Sequence, residues 1–278
     1  MTFVSIATWP LNNICKFVSN TLLMKVSLIT VTRNSEKFLE SCIQSVLNQD
    51  HTDIEHIIID GCSTDSTISI IKRYEENIDI WISEPDQGMY DAINKGMSLA
   101  TGDIIGTLNS DDLLASPDVI SNIVKAFKQN KVDAVYGDLQ YVQQDNLDKI
   151  VREWKGVEYR RTRFTYGWMP AHPTFYFRRT LLDTCGYYET HFFTASDYEF
   201  MTRFLYKHQV KAMYIPQLMI TMRMGGMSNG TLVKRLRANR RDYLAMKKNH
   251  IPFPMMAAFI KPLLKLQQYK SAPAFRLF

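Results

Sequence analysis

Two adjacent aspartates, Asp111 and Asp112, follow the apolar run "DIIGTL" almost directly. Neighbouring carboxylates repel each other, and burying either without a partner costs free energy. A divalent cation would relieve the repulsion, because Mg²⁺ and Mn²⁺ prefer hard oxygen ligands and can bridge two phosphates. The pair can also be an ordinary turn before a helix that begins at Ser116 and Pro117. On these residues alone, both interpretations stay open.

A second polar turn lies in "IIIDGCSTDST", where Asp60 ends another apolar run. A loop of this composition can hydrogen-bond the imide edge of a pyrimidine base. It can equally form an Asx turn and a helix cap, with the Asp60 carboxylate accepting hydrogen bonds from its own loop. These two hypotheses also stay open.

The elements that position these turns are strands alternating with helices from Met24 onwards. The pattern predicts strands at "KVSLITVT", "IEHIIID", "IDIWIS" and "DIIGTL", with Ser35 as the cap of the first helix and another helix beginning near Met89. This alternation is typical of an α/β domain with a doubly wound, mostly parallel sheet. Ligands of such sheets bind beyond the carboxyl ends of the strands, so the loops there should share one edge: 30–34, 60–64, 84–88 and 109–112.

The regular alternation fades after Asp138, where aromatic and basic segments follow. We predict one domain over residues 24–230, with a nucleotide-binding half at 24–138 and an acceptor half at 139–230. Residues 1–23 lack a basic start and a clear cleavage site, and we interpret them as an extension upstream of a true start at Met24. A basic amphipathic helical region is predicted over 231–278, after the domain and its variable second half.

Composition and charge limit the classes of partner that the protein can have. Hydrophobic residues make up 46% of the chain and charged residues 22%, which is a globular balance. The net charge of +5 is concentrated after Arg152, and a basic surface favours a phosphate, a membrane or nucleic acid. Nucleic acid is excluded because the acidic loops would repel its backbone. No apolar run reaches the roughly 18 residues of a membrane span, and the four cysteines lack metal-site spacing, which favours a cytoplasmic protein.

Four motifs in this order resemble the inverting family-2 glycosyltransferases with the GT-A fold: "VSLITVTRN", "IIIDGCSTDST", "SEPDQGMYDAINKGMSLATGD" and "GTLNSDD". The resemblance covers roughly Met24 to Ser228. The third motif is similar to the branch that acts in bacterial polysaccharide and glycolipid assembly. The resemblance implies transfer of one sugar from a nucleotide-diphosphate sugar, with UDP favoured because the family uses it most often.

The resemblance also implies roles for the strand-end residues. The nucleoside would be held by Thr30, Thr32 and Asp60, and Asn94 would lie close to the nucleotide or donor sugar. Asp111 and Asp112 match the metal-binding acidic motif, where they would contact the ribose and a Mn²⁺ or Mg²⁺ ion on the diphosphate. The usual first acid of that motif is Asn109 in this sequence.

For the second half of the domain, the resemblance implies a catalytic base and an acceptor side. Asp197, in "FTASDYEF", matches the catalytic aspartate, which would take the acceptor hydroxyl's proton; its alternative role is a helix cap. His172 would lie near the acceptor unless it is a structural histidine, and Arg178 would face phosphate or cap a helix. Three residues of "MRMGGMSNG" match a stretch near the donor diphosphate, or form a simple turn: Gly225, Gly226 and Ser228.

Two other function classes fit the sequence less well. A nucleotidyltransferase would carry a glycine-rich, basic loop after its first strand, and "VTRNSEKFLES" has no such glycines. A degenerate partner subunit is disfavoured because the key aspartates are retained. The chain lacks the spanning helices and the Gln-x-x-Arg-Trp motif of processive synthases, so we predict a single-sugar transferase acting on a glycan or lipid-linked acceptor. The basic C-terminal helix would either lie peripherally on the inner face of the plasma membrane or pack on its own domain.

Overall fold

A computed structural model of the chain describes residues 24–225 and 232–266, with side chains over 24–225 and 237–261. The predicted extension at 1–23, together with Gly226 and Ser228, lies outside the described residues. The strands are β1 Val26–Thr32, β2 Ile54–Asp60, β3 Ile80–Ser83, β4 Ile104–Asn109, β5 Leu113–Leu114, β6 Ala134–Gln143, β7 Asn146–Trp154, β8 Tyr176–Arg178 and β9 Ala212–Arg223. The α-helices are α1 Leu39–Leu47, α2 Thr67–Arg73, α3 Met89–Leu99, α4 Val119–Gln129, α5 Leu181–Cys185, α6 Ser196–Met201, α7 Leu232–Lys248 and α8 Pro254–Leu266.

The first four strands form the parallel part of the sheet, in the order β3-β2-β1-β4. All seven residues of β1 are buried, which explains why this strand is apolar without a polar alternation. Its side chains point alternately to the two faces, so that Val26 and Leu28 join one hydrophobic core and Ile29 and Val31 join the other. Helices therefore cover both faces, and the predicted α/β class is confirmed.

The remaining strands make the sheet mixed. β8 is antiparallel to both β4 and β6, β9 is parallel to β6, and β5 is antiparallel to β9 at the edge. The strand–helix alternation ends near Asp138, as predicted, but the hairpin that β6 forms with β7 beyond this point was not predicted. β7 has no buried residue, so its sequence carries no apolar alternation to indicate a strand.

Two predicted helix starts are also wrong. Helix α1 begins at Leu39, and the Ser35 hydroxyl contacts Ser110 Oγ at 2.8 Å. Helix α4 begins at Val119, and the Ser116 hydroxyl donates to Asp118 Oδ1. Both serines lie in turns just before their helices, and neither hydroxyl caps a helix N–H; in α4, Ile120 N donates to Gln49 Oε1 at 3.1 Å instead.

Helices α7 and α8 pack on the second half of the domain through buried charges. Glu199, which is fully buried in α6, pairs with Arg203 at 2.9 Å and accepts a hydrogen bond from Asn249 just after α7. Lys261 of α8 pairs with Asp242 of α7 at 2.8 Å and lies over the Tyr198 ring. Within residues 24–225 and 232–266, no helix is both long and apolar enough to span a membrane.

Candidate active site

Three loops meet at the carboxyl edge of the parallel strands. In the register of β1, Thr32 pairs with Asp60 of β2, and Val31 pairs with Asn109 of β4. The strands therefore end level with one another, and the loops that follow are in contact. Asn34 N donates to Ser63 Oγ at 2.8 Å. The predicted grouping of these loops at one edge is confirmed.

Asp60 is fully buried and organises the loop after β2. Its Oδ2 accepts hydrogen bonds from Ser63 N at 2.9 Å and Ser83 Oγ at 2.7 Å, and Oδ1 accepts from Ser63 Oγ. These bonds give Asp60 the loop-stabilising role that the sequence left open. Its predicted contact with a nucleoside stays a prediction.

The two threonines of β1 differ in what surrounds their hydroxyls. Thr30 Oγ1 lies 3.0 Å from His56 Nε2, and the residue is fully buried. Thr32 is at the strand end, and its Oγ1 is buried without a hydrogen-bond partner in the described part of the chain. Of the two threonines predicted to contact the nucleoside, only Thr32 therefore has a hydroxyl that makes no hydrogen bond among the described residues.

The turn after β4 holds the two adjacent carboxylates. Asn109 Nδ2 donates to Asp112 Oδ2 at 2.8 Å, while Asp112 Oδ1 is buried and makes no hydrogen bond among the described residues. Burial raises the pKa of Asp112 well above its ordinary range, and the charge of Asp111 adds to the effect. Burial also raises the pKa of Asp111, against the opposing influence of Arg223. The surroundings therefore do not fully compensate two ionised carboxylates at this turn.

Arg223 is a site residue that the sequence analysis missed. The pairing of β5 with β9 brings the end of β9 to this turn, and the buried guanidinium donates from Nη1 to the Asp111 backbone oxygen at 2.7 Å. Its Nη2 donates to Ser41 Oγ at 3.1 Å. The available signal was a lone arginine at the end of the apolar run "AMYIPQLMITMR".

The residues of this turn fit a divalent cation. Asp111 and Asp112 offer carboxylate oxygens, one of which is buried without a partner, and hard cations prefer such oxygens. No group of three or more His, Cys, Asp or Glu side chains that could hold a metal occurs where the structure describes the chain. The protein would thus supply two carboxylates, and the remaining ligands would come from the diphosphate and water.

Asn94 joins the two halves of the domain. Its Nδ2 donates to Tyr188 O at 2.9 Å, and its Oδ1 accepts from Tyr188 N at 2.9 Å. We call this pair of bonds the amide clamp. Because the clamp engages both ends of the Asn94 side chain, it gives this residue a structural role beside the predicted one near the donor.

Asp197 lies at the start of α6, half-buried, beside an aromatic cluster. His172 Nε2 lies 2.5 Å from Tyr188 Oη, and the Tyr90 ring packs 5.2 Å from the Tyr188 ring. Burial lowers the pKa of His172, and the charge of Asp197 opposes that change. Burial raises the pKa of Tyr90, and the Asp197 charge raises it further. The charge of Asp197 therefore acts on His172 and on two tyrosines that the sequence analysis did not identify, Tyr90 and Tyr188.

Arg178 is not at this edge, which corrects its predicted place near phosphate. It pairs with Ile104 at the start of β4, about 16 Å along the strand from Asn109 at about 3.3 Å per residue. Its Nε donates to Val132 O at 3.2 Å. Gly225 follows β9 beside Gln144 with a φ of 141°, a left-handed conformation that glycine adopts readily.

The sequence that forms this site matches a known protein family. The family described as Glycosyl transferase family 2 matches residues 27–195, which include both aspartate turns and the amide clamp. This chain belongs to glycosyl transferase family 2. It is therefore a glycosyltransferase, in agreement with the resemblance found in its motifs.

Its relatives include bacterial glycosyltransferases. An uncharacterized glycosyltransferase of Mycobacterium tuberculosis is 33% identical over 181 residues, which cover 64% of this chain and 68% of the relative. A PGL/p-HBAD biosynthesis glycosyltransferase of Mycobacterium bovis is 29% identical over 208 residues, covering 73% of this chain and 78% of that protein.

Solved structures support the GT-A fold. Staphylococcus aureus TarS 1–349 in complex with UDP-GlcNAc superposes with a TM-score of 0.61 at 20% identity, covering 83% of this glycosyltransferase and 73% of TarS. Another TarS 1–349 structure is matched over 65% of its length. The mannosyltransferase PcManGT from Pyrobaculum calidifontis, in complex with GDP-Man and Mn²⁺, gives a TM-score of 0.62 at 20% identity, with coverages of 86% and 70%. At these identities the likeness shows the fold alone.

The amide clamp leads to the first prediction. We expect Asn94→Ala to lower the free energy of unfolding by about 2 kcal/mol, because it removes two hydrogen bonds of about 1 kcal/mol each. The affinity for a nucleoside diphosphate, measured by calorimetry, should stay within twofold of the wild type. A large loss of nucleotide affinity with unchanged stability would instead support the donor-contacting role.

The buried carboxylates lead to the second prediction, for protein free of metal and nucleotide. The pKa of Asp112 is raised in the folded state, so the folded protein holds this proton more tightly than the unfolded chain does. The stability that the proton contributes is present below about pH 4 and is lost as the pH rises through the folded pKa. We expect Asp112→Asn to be more stable than the wild type at pH 7 by about 2 kcal/mol, with the difference vanishing near pH 4.

Urea unfolding across this pH range would measure the effect. Asp183→Asn, at an exposed position of α5, is the matched control and should leave the pH profile unchanged. A less stable Asp112→Asn protein at pH 7 would show that the Asp112 carboxylate is already neutralised by its surroundings.

Proposed function

We propose that this glycosyltransferase is inverting and metal-dependent, and that it moves one sugar from a UDP-sugar to a hydroxyl of a glycan or lipid-linked acceptor in cell-surface polysaccharide or glycolipid synthesis. The observation that carries the proposal is the Asp111–Asp112 turn, where Asp112 is buried, one of its oxygens has no hydrogen-bond partner among the described residues, and burial disfavours its ionised form. Such a turn is costly unless a cation arrives, and a nucleotide diphosphate brings one.

The loops at the strand ends are shaped to receive the nucleoside before it binds. The hydrogen bonds of Asp60 fix the backbone from Gly61 to Ser63, and Thr32 offers a free hydroxyl beside them. Gly61 allows the close approach of Asp86, since a Cβ there would lie 2.3 Å from Asp86 Oδ2. Asp60 and Thr32 would hold the base and ribose on this preformed surface.

Asp111 and Asp112 would hold Mn²⁺ or Mg²⁺ with the diphosphate. The bound cation would neutralise the charge that grows on the leaving diphosphate. Arg223 fixes the Asp111 backbone through its hydrogen bond and keeps the turn in place. Asn109 is neutral and donates a hydrogen bond to one oxygen of Asp112. An aspartate at position 109 would instead add a third negative charge to the turn.

Asp197 would act as the general base on the acceptor side. Its carboxylate is half-buried at the start of α6, and Tyr90 and His172 lie beside it. It would accept the proton of the acceptor hydroxyl while that oxygen attacks C1 of the sugar from the face opposite the diphosphate. A single displacement of this kind inverts the anomeric configuration.

The relatives support the proposed substrate classes. The M. bovis protein is named for biosynthesis of PGL/p-HBAD, while TarS and PcManGT were solved with UDP-GlcNAc and with GDP-Man and Mn²⁺. These names support a nucleotide-sugar donor, a divalent metal and a glycolipid-type acceptor. UDP is favoured over GDP because the family uses it most often.

The donor is tested by a thermal-shift panel of UDP, GDP and dTDP, each with Mn²⁺, Mg²⁺ or EDTA. A ligand present at a hundred times its Kd should stabilise the folded protein by about 2.7 kcal/mol. We expect UDP to raise the melting temperature with metal and not with EDTA, and Asp112→Asn to abolish the shift. A shift that survives both changes would contradict metal-dependent donor binding.

The base is tested with Asp197→Asn, which keeps the side-chain shape and removes the basic oxygen. We expect transfer to a hydroxyl acceptor to fall by about 10²–10⁴-fold while UDP affinity is retained. The control is again Asp183→Asn, which should transfer normally. NMR of the product should show the opposite anomer to that of the donor, and transfer at the wild-type rate by Asp197→Asn would remove Asp197 from this role.

A further inference from the structure

Over residues 254–261, the part of α8 whose side chains are described, large apolar side chains are exposed and the two alanines are buried. Ala257, Ala258 and Lys261 are buried, whereas Met255 is 76% exposed and Phe259 is 75% exposed. Met256 is 46% exposed, and Phe253, just before the helix, is 74% exposed. We call these four exposed residues the α8 patch. A helix that only packs on its own domain turns its large apolar residues inward, so this arrangement is reversed.

The helix is held in this orientation by its buried face. Lys261 Nζ lies 2.8 Å from Asp242 Oδ1 and 3.5 Å from the centre of the Tyr198 ring. On the neighbouring segment, a Cβ at Gly167 would lie 2.7 Å from the Ala257 backbone oxygen, so α8 approaches it closely. Turning α8 to bury the patch would break the Lys261–Asp242 ion pair and bring Phe259 into the space that Ala257 and Ala258 occupy.

Helices α7 and α8 are strongly basic. Residues 232–266 contain nine Lys or Arg residues and one Asp. On α7, Arg237, Arg240 and Lys247 are exposed and are spaced three and seven residues apart, which places them on one face of the helix. Because α7 and α8 pack on the same half of the domain, their exposed faces point away from it.

We propose that the α8 patch inserts into the interfacial region of an anionic lipid bilayer, and that the excess of positive charge on α7 and α8 attracts the lipid head groups. Large apolar side chains bordered by cations are the features of a helix that lies in a membrane interface. Lys261, which faces inward, is not among these cations. The proposal goes beyond the proposed function, and its test needs no sugar transfer.

A second copy of the chain is a weaker candidate for the patch. The four side chains present on the order of 500 Å² of apolar surface, against about 800 Å² per partner in a stable protein interface. The excess of positive charge on α7 and α8 would also oppose the approach of a second copy.

The position of the patch relates membrane binding to the acceptor side. The buried face of α8 touches Tyr198, which directly follows the proposed base Asp197. A bilayer on the outer face of α8 would therefore lie on the acceptor half of the domain, where a lipid-linked hydroxyl has to arrive.

Sedimentation of the full-length protein with vesicles tests the proposal. We expect binding to vesicles of phosphatidylcholine with phosphatidylglycerol, and much weaker binding to phosphatidylcholine alone. The triple variant Met255→Ser, Met256→Ser, Phe259→Ser should bind at least about tenfold more weakly. Arg237→Gln and Arg240→Gln should each weaken binding about fivefold, and added salt should do the same.

The control is a Leu47→Ser, Leu147→Ser variant, which alters two leucines that are similarly exposed on α1 and β7. It should bind vesicles like the wild type, and all variants should keep the wild-type melting temperature because the altered side chains are exposed. The proposal is overturned if the wild type does not sediment with anionic vesicles, or if the triple variant sediments equally well. It is also overturned if the wild type does not bind vesicles and forms a dimer that the triple variant lacks. The patch would then be an interface between two copies of the chain.

Discussion

The negative charge of the Asp111–Asp112 turn is the constraint on which the site depends. Two neighbouring carboxylates leave β4 into a turn from which water is largely excluded, and each raises the cost of ionising the other. The fold tolerates them through one neutral donor, Asn109, and one buried cation, Arg223. The cation reaches the turn because the short strand β5 pairs with β9 in the register that sets Leu113 opposite Thr221. The mixed second half of the sheet therefore supplies the arginine that stabilises the turn after the parallel strand β4.

The protein neutralises the two carboxylates only in part, and the part left over can attract a cation. A turn fully neutralised by the protein would have nothing left to attract a metal-bound diphosphate, while an uncompensated one would oppose folding. The bond from Arg223 goes to the Asp111 backbone oxygen, so the arginine fixes the turn without occupying the carboxylate oxygens. The second cluster, around Asp197, is built differently: the half-buried carboxylate accepts a hydrogen bond from Tyr198 N, and its charge acts on Tyr90, Tyr188 and His172.

The sequence predicted the parallel half of the fold well, because β1, β2 and β4 are buried on both faces and their apolar runs stand out. The carboxylate turns were found for the same reason, since each follows such a run directly. The β6–β7 hairpin was missed because exposed β7 carries no periodic signal. Arg223 was missed because its role depends on strand register, and Arg178 was misplaced because the antiparallel direction of β8 carries it to the far end of β4. Local pattern reveals elements and their ends, whereas contacts between distant strands require the assembled sheet.

The amide clamp has a consequence for how enzymes of this kind diverge. Asn94 recognises only the peptide groups of residue 188, so the attachment between the two halves does not depend on which side chain that residue carries. Side chains after residue 138 can therefore change around this point while the attachment to residues 24–138 stays intact. A junction formed by main-chain atoms thus lets the second part of the domain vary in sequence without loss of this contact.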